Sequence, residues 1–234
     1  MNSLQDKVAF ITGGTKGIGY GIAEALIEQG MRVVITGREL GSAKDAAAQL
    51  KGKAVGLAAD VRDLKSMEAA IKETLKHYVQ IDLLVANAGV GHFAPIDQLT
   101  SEQWNATIDT NLTGVFNTVK AGLAAIKNAK GYIMTISSLA GTNFFASGTA
   151  YNASKFGLTG FTQALMLDVR NDDVKVTTIM PGSVSSHFGG RSPDEGANWR
   201  IQPEDIGQIV VDLMKMHPRT LPSKVEVRPS KTGK

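Results

Sequence analysis

Short β-rich apolar runs alternate with longer stretches whose apolar residues recur at helical spacing, and this alternation limits what the chain can fold into more than any other feature. Strands are predicted at Lys7 to Thr12, Arg32 to Thr36, Ala54 to Ala58, Leu83 to Ala86, Tyr132 to Ser137, Lys175 to Ile179 and Lys224 to Val227. Helices are predicted at Gly17 to Gln29, Ser42 to Leu50, Leu64 to His77, Ser101 to Asn128, Ala150 to Asn171 and Pro203 to His217. A strand, a helix and another strand in succession need a crossover, and right-handed crossovers lay the helices over one face or the other of a parallel sheet. The expected fold class is α/β, a single domain over residues 1–234 built on a doubly wound parallel sheet with helices on both faces. Ligands of such sheets bind beyond the carboxyl ends of the strands, where the strand order reverses, so chemistry is sought in the residues that follow each strand.

With 234 residues, 43% hydrophobic and 20% charged, the chain can fill one core, and no Pro/Ser-rich stretch divides it. The absence of cysteine excludes a disulfide framework, a thiolate metal site and a cysteine nucleophile. His77, His92, His187 and His217 are scattered rather than spaced as ligands, so no metal is expected. Met1 to Lys7 is not a basic segment leading into an apolar one, and no apolar run nears the roughly 18 residues of a membrane span. A cytoplasmic protein without membrane attachment is expected. The formal net charge of +3 is spread along the chain instead of gathered in a stripe, which argues against nucleic acid as a partner.

The first predicted strand runs into Thr12-Gly13-Gly14-Thr15-Lys16-Gly17-Ile18-Gly19 and then a helix. Glycines allow a tight turn and a close approach to a ligand, and a helix start offers free N–H groups and a positive dipole end to a pyrophosphate. The spacing Gly-x-x-x-Gly-x-Gly differs from the Gly-x-Gly-x-x-Gly dinucleotide fingerprint, so the turn by itself fits either a phosphate cradle or a turn that binds nothing. Tyr151 and Lys155 stand i and i+4 on a predicted helix and emerge from one face. An ammonium beside a phenol favours phenolate, so Lys155 is expected to lower the tyrosine from its ordinary pKa of about 10 and make it a usable general acid and base.

With these motifs the sequence resembles the short-chain dehydrogenase/reductase family, whose Thr-Gly-x-x-x-Gly-Ile-Gly signature is met at Thr12 through Gly19. Ala86-Asn87-Ala88-Gly89 follows the fourth strand as the family's Asn-Asn-Ala-Gly does, and Asn111 precedes Leu112-Thr113-Gly114. Ser138 lies thirteen residues before Tyr151, and Pro181-Gly182 follows the sixth strand. The resemblance covers Asp6 to Pro229, with two departures: Ala86 stands for an asparagine, and Ser186 for the threonine usual five residues after the proline.

The resemblance implies a Rossmann fold and a nicotinamide dinucleotide. Gly13, Thr15, Lys16, Gly17, Ile18 and Gly19 would hold it in the turn, Asn87, Ala88 and Gly89 after the fourth strand, and Pro181, Gly182, Val184 and Ser186 after the sixth. Asp60 would accept from the adenine amino group and Val61 border the ring. NAD-binding folds place an acid at the end of the second strand for the ribose 2′-hydroxyl, whereas an arginine accommodates a 2′-phosphate. Here that position reads Gly37-Arg38, with Lys16 as a second cation, which favours NADP(H).

By the same resemblance Tyr151 donates the proton to a carbonyl oxygen, Lys155 also holds the nicotinamide ribose, and Ser138 orients and polarises the carbonyl. Ser137 carries a neighbouring hydroxyl, but the interval to Tyr151 points to Ser138. Asn111 completes the set from a locally distorted helix whose backbone holds a water between Lys155 and solvent, and Thr113-Gly114 offers local support for such a break. Ser183 to Gln202, rich in Gly, Ser and Pro, reads as a lid over the substrate. His92, Phe93, Phe144, Phe145, Phe188 and Trp199 fall where they can face the cleft, suggesting an apolar pocket that tolerates aromatic groups.

The activity implied is hydride transfer between NADP(H) and a small carbonyl compound or alcohol. One alternative is reduction of a 3-oxoacyl chain on an acyl carrier protein, for which Lys127 and Lys130 are favourable and Asp172 and Asp173 unfavourable. The other is a nucleotide-sensing regulator without chemistry. A homodimer or homotetramer through the helices near Ser101 to Asn128 and Ala150 to Asn171 is expected, and a carrier protein is not favoured as a partner.

Overall fold

The computed structural model describes residues 3–50, 54–186, 188–190 and 198–231. Seven strands, β1 (Val8–Thr12), β2 (Arg32–Gly37), β3 (Ala54–Ala58), β4 (Leu83–Ala86), β5 (Tyr132–Ile136), β6 (Lys175–Pro181) and β7 (Lys224–Val227), form one sheet in the order β3-β2-β1-β4-β5-β6-β7, with every pairing parallel. The chain walks outward from β1 to β3 and then returns to place β4 on the other side of β1. The order therefore reverses between β1 and β4, and the crevice of a doubly wound sheet opens there.

Period-two alternation in the strands divides the core into two layers. Ala9 and Ile11 join Ile22 and Leu26 of α1 (Gly17–Glu28), Ala46 and Ala47 of α2 (Leu40–Gln49) and Val210 of α7 (Pro203–Lys215). Phe10, between them in β1, packs on the opposite face with Met67 of α3 (Leu64–His77), Val119 of α5 (Gly114–Ala129) and Leu158 of α6 (Thr149–Val169). All five residues of β1 are buried, as a central parallel strand covered on both faces must be, while the edge strand β7 has no fully buried residue. The carboxylate of Asp82 ties the amino edge together by accepting from the Val8 amide at 2.8 Å and from the Gln80 side chain.

Most predicted elements are present to within two residues, and two departures bear on the site. The long helix predicted from Ser101 to Asn128 is three pieces: α4 (Ser101–Ile108), a π-helical turn at Asp109–Thr113 and α5. β6 runs two residues beyond its predicted end, so Pro181 is its last residue rather than the first of the following turn. Proline is tolerated there because the main chain beyond it is held through the Gly182 amide, which donates to Val227 at 2.8 Å. The predicted Ala150 to Asn171 helix gives way after Val169 to a 3₁₀ turn.

Candidate active site

A cleft of about 1360 Å³ runs along the carboxyl ends of the strands, lined by residues that follow every strand from β1 to β7. At one end stands the start of α1. Gly13 and Gly17 have φ of +65° and +59°, which favour glycine, and a Cβ on Gly13 would lie 2.8 Å from the Ala88 backbone. Lys16 precedes the helix in extended conformation without a side-chain cap, and the first turn holds no acidic residue. The N–H groups that begin α1 are thus left to whatever enters the cleft, the arrangement an anionic group requires.

This turn is braced from β4. Asn87 Nδ2 donates to the carbonyls of Thr12 and Gly13 at 2.9 and 3.0 Å, and the amides of Asn87 and Ala88 donate to Thr12 Oγ1 at 3.1 and 3.2 Å. The Asn87 amide nitrogen is therefore spent on holding the glycine turn against the sheet. Lys16, Thr36, Gly37, Arg38, Asp60, Val61 and Arg62 line the same end. The Asp60 carboxylate lines the cleft and accepts from Arg62 through both oxygens, at 3.0 and 3.1 Å to Nε, which holds its pKa below the ordinary value. A rigid two-residue turn lets the guanidinium fork reach back to the acid, so the unforeseen feature here is Arg62. Its signal in the sequence was an Asp and an Arg two residues apart at a strand end.

At the other end the structure brings together Ser138, Tyr151 and Lys155. Ser138 Oγ accepts from the Ala140 amide at 3.1 Å and is 3.4 Å from the Pro181 carbonyl, on the wall of the cleft. Both serines line the cleft, but Ser137 is 4% exposed and its hydroxyl lies 3.3 Å from both the Lys155 carbonyl and Thr159 Oγ1, so Ser138 is the more open of the two. Lys155 Nζ donates to the Ile136 carbonyl at 2.9 Å and lies 5.7 Å from the centre of the Tyr151 ring.

Burial dominates both titrating groups. It pushes the Tyr151 phenol up to about 12, offset in part by the Ser138 hydroxyl, and the Lys155 ammonium down to about 8. The expectation that Lys155 lowers the phenol is thus corrected for the chain by itself. The ammonium is bonded to the Ile136 carbonyl, and withdrawal from water is the dominant influence on the phenol.

Asn111 sits in the π-helical turn, fully buried. Its Nδ2 donates to Val90 O at 2.9 Å and to Ser154 Oγ at 3.0 Å, and its Oδ1 accepts from Val90 N at 2.8 Å. The side chain therefore fastens the β4 turn to α6. A Cβ added to Gly89 would stand 3.3 Å from Asn111 Oδ1 and 3.9 Å from Lys155 Nζ, which shows how closely this turn, the π-helical turn and α6 converge.

Gly182, Ser183, Val184 and Ser186 line the cleft beyond β6, and a Cβ on Gly17 would come within 3.4 Å of Ser186 Cβ. Val184 bridges Ile201, and the Ser185 amide donates to the Ile201 carbonyl at 2.9 Å, so this part of the predicted lid is stitched back onto the chain before α7. His187 and residues 191–197 of that stretch lie outside the described residues. Lys127 and Lys130 pair with Asp172 and Asp173, each at 2.7 Å, before β5 and β6. Within one chain this is the amino edge of the sheet, opposite the cleft. No helix among the described residues is long and apolar enough to cross a membrane.

The sheet order and the crevice define a doubly wound nucleotide-binding fold, and the comparisons place it. The short chain dehydrogenase family pattern matches residues 7–195. An uncharacterized oxidoreductase of Staphylococcus saprophyticus is 33% identical over 98% of this chain and all of its own length. The 3-oxoacyl-[acyl-carrier-protein] reductase of Vibrio harveyi is 36% identical over 79% of this chain and 76% of its own. An alcohol dehydrogenase from the archaeon Thermococcus sibiricus, solved with 5-hydroxy-NADP, superposes with a TM-score of 0.92 at 27% identity over 98% of this chain and 99% of its own. The chain belongs to the short-chain dehydrogenase family and is an oxidoreductase by that membership.

Proposed function

We propose that the protein is an NADP(H)-dependent reductase of small or medium ketones, aldehydes or diketones, with Tyr151 as the proton donor. The observation that carries this reading is the meeting of Ser138, Tyr151 and Lys155 at one end of a cleft whose other end is the uncapped start of α1 flanked by Lys16 and Arg38. The residues present fit a dinucleotide: the turn at Gly13 and Gly17 leaves the first N–H groups of α1 without a side-chain cap for a pyrophosphate, and the exposed cations suit a 2′-phosphate. The archaeal relative's NADP analogue supports the same choice.

When bound, the nicotinamide supplies the hydride, and the protein's part is to bind, orient and move a proton. Tyr151, pushed up to about 12 by burial, keeps its proton throughout the neutral range and is by itself a donor. Ser138 Oγ, free to turn from the distant Pro181 carbonyl, donates to the same carbonyl oxygen and leaves Tyr151 the acid. Lys155, with one N–H engaged by Ile136, keeps two for a ribose hydroxyl and for the phenolate that proton donation creates. Asn111 holds the π-helical turn against Val90 and α6 and thereby fixes the height of this group.

NADPH oxidation across a panel of ketones, aldehydes and diketones tests the reading. At pH 7 reduction should outrun oxidation of the matching alcohol, and oxidation should quicken as the pH is raised. Tight NADPH binding without turnover of any member would convert the protein into a nucleotide sensor. The Vibrio harveyi relative favours a second reading, reduction of carrier-bound 3-oxoacyl chains. Against it stands the neutralisation of Lys127 and Lys130 by Asp172 and Asp173. Matched free, pantetheine-linked and carrier-linked substrates separate the two. A catalytic efficiency a hundredfold higher for the carrier-linked form, collapsing with salt, would overturn our preference.

A further inference from the structure

The substrate end of the cleft is walled by aromatic rings that three separate loops deliver to Tyr151. Phe93, from the loop after β4, stands 5.3 Å from the Tyr151 ring centre at an interplanar angle of 64°, and Phe188 stands 5.5 Å away at 57°. Phe93 and Phe188 are 6.4 Å apart at 66°, and Phe145 continues the series 6.0 Å from Phe93 at 44°. These tilted and edge-to-face arrangements lie within the separations at which ring quadrupoles attract, hydrogen-rich edge to electron-rich face.

The placement of these rings is built into the fold. A Cβ on Gly91 would collide with Phe188 and Phe93 at 2.6 and 2.9 Å, so glycine there is what admits both rings. Asn152, one residue after Tyr151, donates to the carbonyls of Ala140 and Asn143 at 2.8 Å each and accepts from the Phe145 amide at 3.3 Å. The helix that carries the phenol therefore also fixes the loop that carries Phe144 and Phe145. Phe93, Phe145 and Phe144 remain 43%, 48% and 86% exposed, so their outer faces and edges are available to a ligand. The nearby polar group His92 has Nδ1 engaged with Thr107 Oγ1 at 3.0 Å, and the cation reaching the rim from β7, Arg228, is tied to Glu226 at 3.1 Å.

We propose that the substrate is an aryl carbonyl compound, an aromatic ketone or aldehyde without a charge on its ring, whose ring extends the Phe93, Phe188 and Phe145 array while its carbonyl meets Tyr151 and Ser138. This rests on the reductase reading and deepens it. An aliphatic group of equal bulk fills the same space but presents no edge or face to continue the array, so selection is for aromaticity beyond hydrophobicity. A carboxylate on the ring would have to be desolvated among phenylalanines.

The test compares phenyl methyl ketone, cyclohexyl methyl ketone and 4-carboxyphenyl methyl ketone with NADPH as reductant. In the wild type, kcat/KM should be at least tenfold higher for the phenyl than for the cyclohexyl ketone, despite the conjugation that makes the aryl carbonyl less reactive, and lowest for the carboxylate. Phe93→Leu and Phe188→Leu keep apolar bulk and remove the ring. Each should shrink the phenyl-to-cyclohexyl ratio by about two- to tenfold, with NADPH affinity unchanged, while Phe116→Leu, at an exposed position of α5 outside the cleft lining, leaves the ratio as it was.

Ligand-observed saturation-transfer NMR with benzyl alcohol and cyclohexylmethanol, in the presence of NADPH, reads the same preference without turnover. A cyclohexyl compound equal to or better than its phenyl partner, or a ratio unmoved in both leucine variants, overturns the aryl assignment. If no ketone is reduced at all, the reductase reading falls, and the NMR preference and its loss in the leucine variants still decide for or against the ring array.

Discussion

Where the strands β1, β2 and β3 end, the cleft presents backbone N–H groups, glycines and exposed cations; where β4, β5 and β6 end, it presents buried side chains whose protonation the fold has shifted. At the first end solvent screens each charge, so affinity is expected to come from many modest contacts around a rigid turn. At the second a few groups sit out of water, and under the proposed function each is expected to carry a large share of the chemistry. Single substitutions should therefore do little at the cationic end and much at the buried end.

The largest effect should follow Tyr151→Phe, which removes one hydroxyl. Turnover should fall by about 10²- to 10⁴-fold, as deletion of a general acid does, with NADPH affinity unchanged by nicotinamide fluorescence. Survival of more than about a tenth of the rate would move the proton donor elsewhere.

Lys155→Met sharpens the contrast through stability. The folded-state pKa of Lys155 is about 8 against an ordinary 10.5. Below pH 8 the fold carries the full cost of a buried ammonium, and this group's contribution to stability improves as the pH rises from about 8 toward 10.5, where the unfolded chain still holds the proton the folded chain has released. Removing the charge should stabilise the protein at pH 7, without added cofactor, by about 1 to 3 kcal/mol after loss of the Ile136 hydrogen bond, while abolishing turnover. Denaturant titration of both proteins at pH 7 and pH 10 checks this, and a methionine variant less stable at pH 7 would contradict it.

Arg38→Leu breaks the cationic end by itself. It should weaken NADPH binding by about tenfold and leave NADH binding unchanged, the loss of one screened guanidinium contact. The variant Gly37→Asp is a poorer choice for converting the cofactor preference, since a Cβ there would meet Thr15 Cγ2 at 2.7 Å. Equal wild-type affinities for NADPH and NADH would remove the basis for the cofactor assignment. The smallest effect belongs to Lys130→Ala, which deletes an exposed pair remote from the cleft. The denaturation midpoint should not move measurably, since solvent screens so exposed a pair, and turnover of free ketones should not change. A large loss of activity would show that this edge serves a substrate or partner after all.

The elements themselves were legible because their periodicity is local: β1 reads apolar throughout, α3 reads at helical spacing, and both appear where predicted. The glycine turn was legible for the same reason, since a positive φ at Gly13 and Gly17 is a demand made on single residues. Tyr151 and Lys155 were legible as a pair one helical turn apart, but their protonation was not. Whether an ammonium lowers a phenol depends on where Nζ points and how much water remains, and Ile136, nineteen residues away in sequence, settles the first. Asp60 illustrates the limit from the other side: its position at a strand end was readable, whereas its capture by Arg62 is a matter of side-chain reach.

By itself, then, the sequence determined the succession of strands and helices, the glycine turn and the identity of the residues that could carry a hydride-transfer site, because each is written in neighbours along the chain. Tertiary structure decided what burial does to Tyr151 and Lys155, which of the Ser137 and Ser138 hydroxyls is tied to α6, and how Phe93, Phe145 and Phe188 meet around the phenol. Desolvation and ring packing depend on groups that are distant in sequence and adjacent only once the sheet has closed its layers, so no local pattern can encode them.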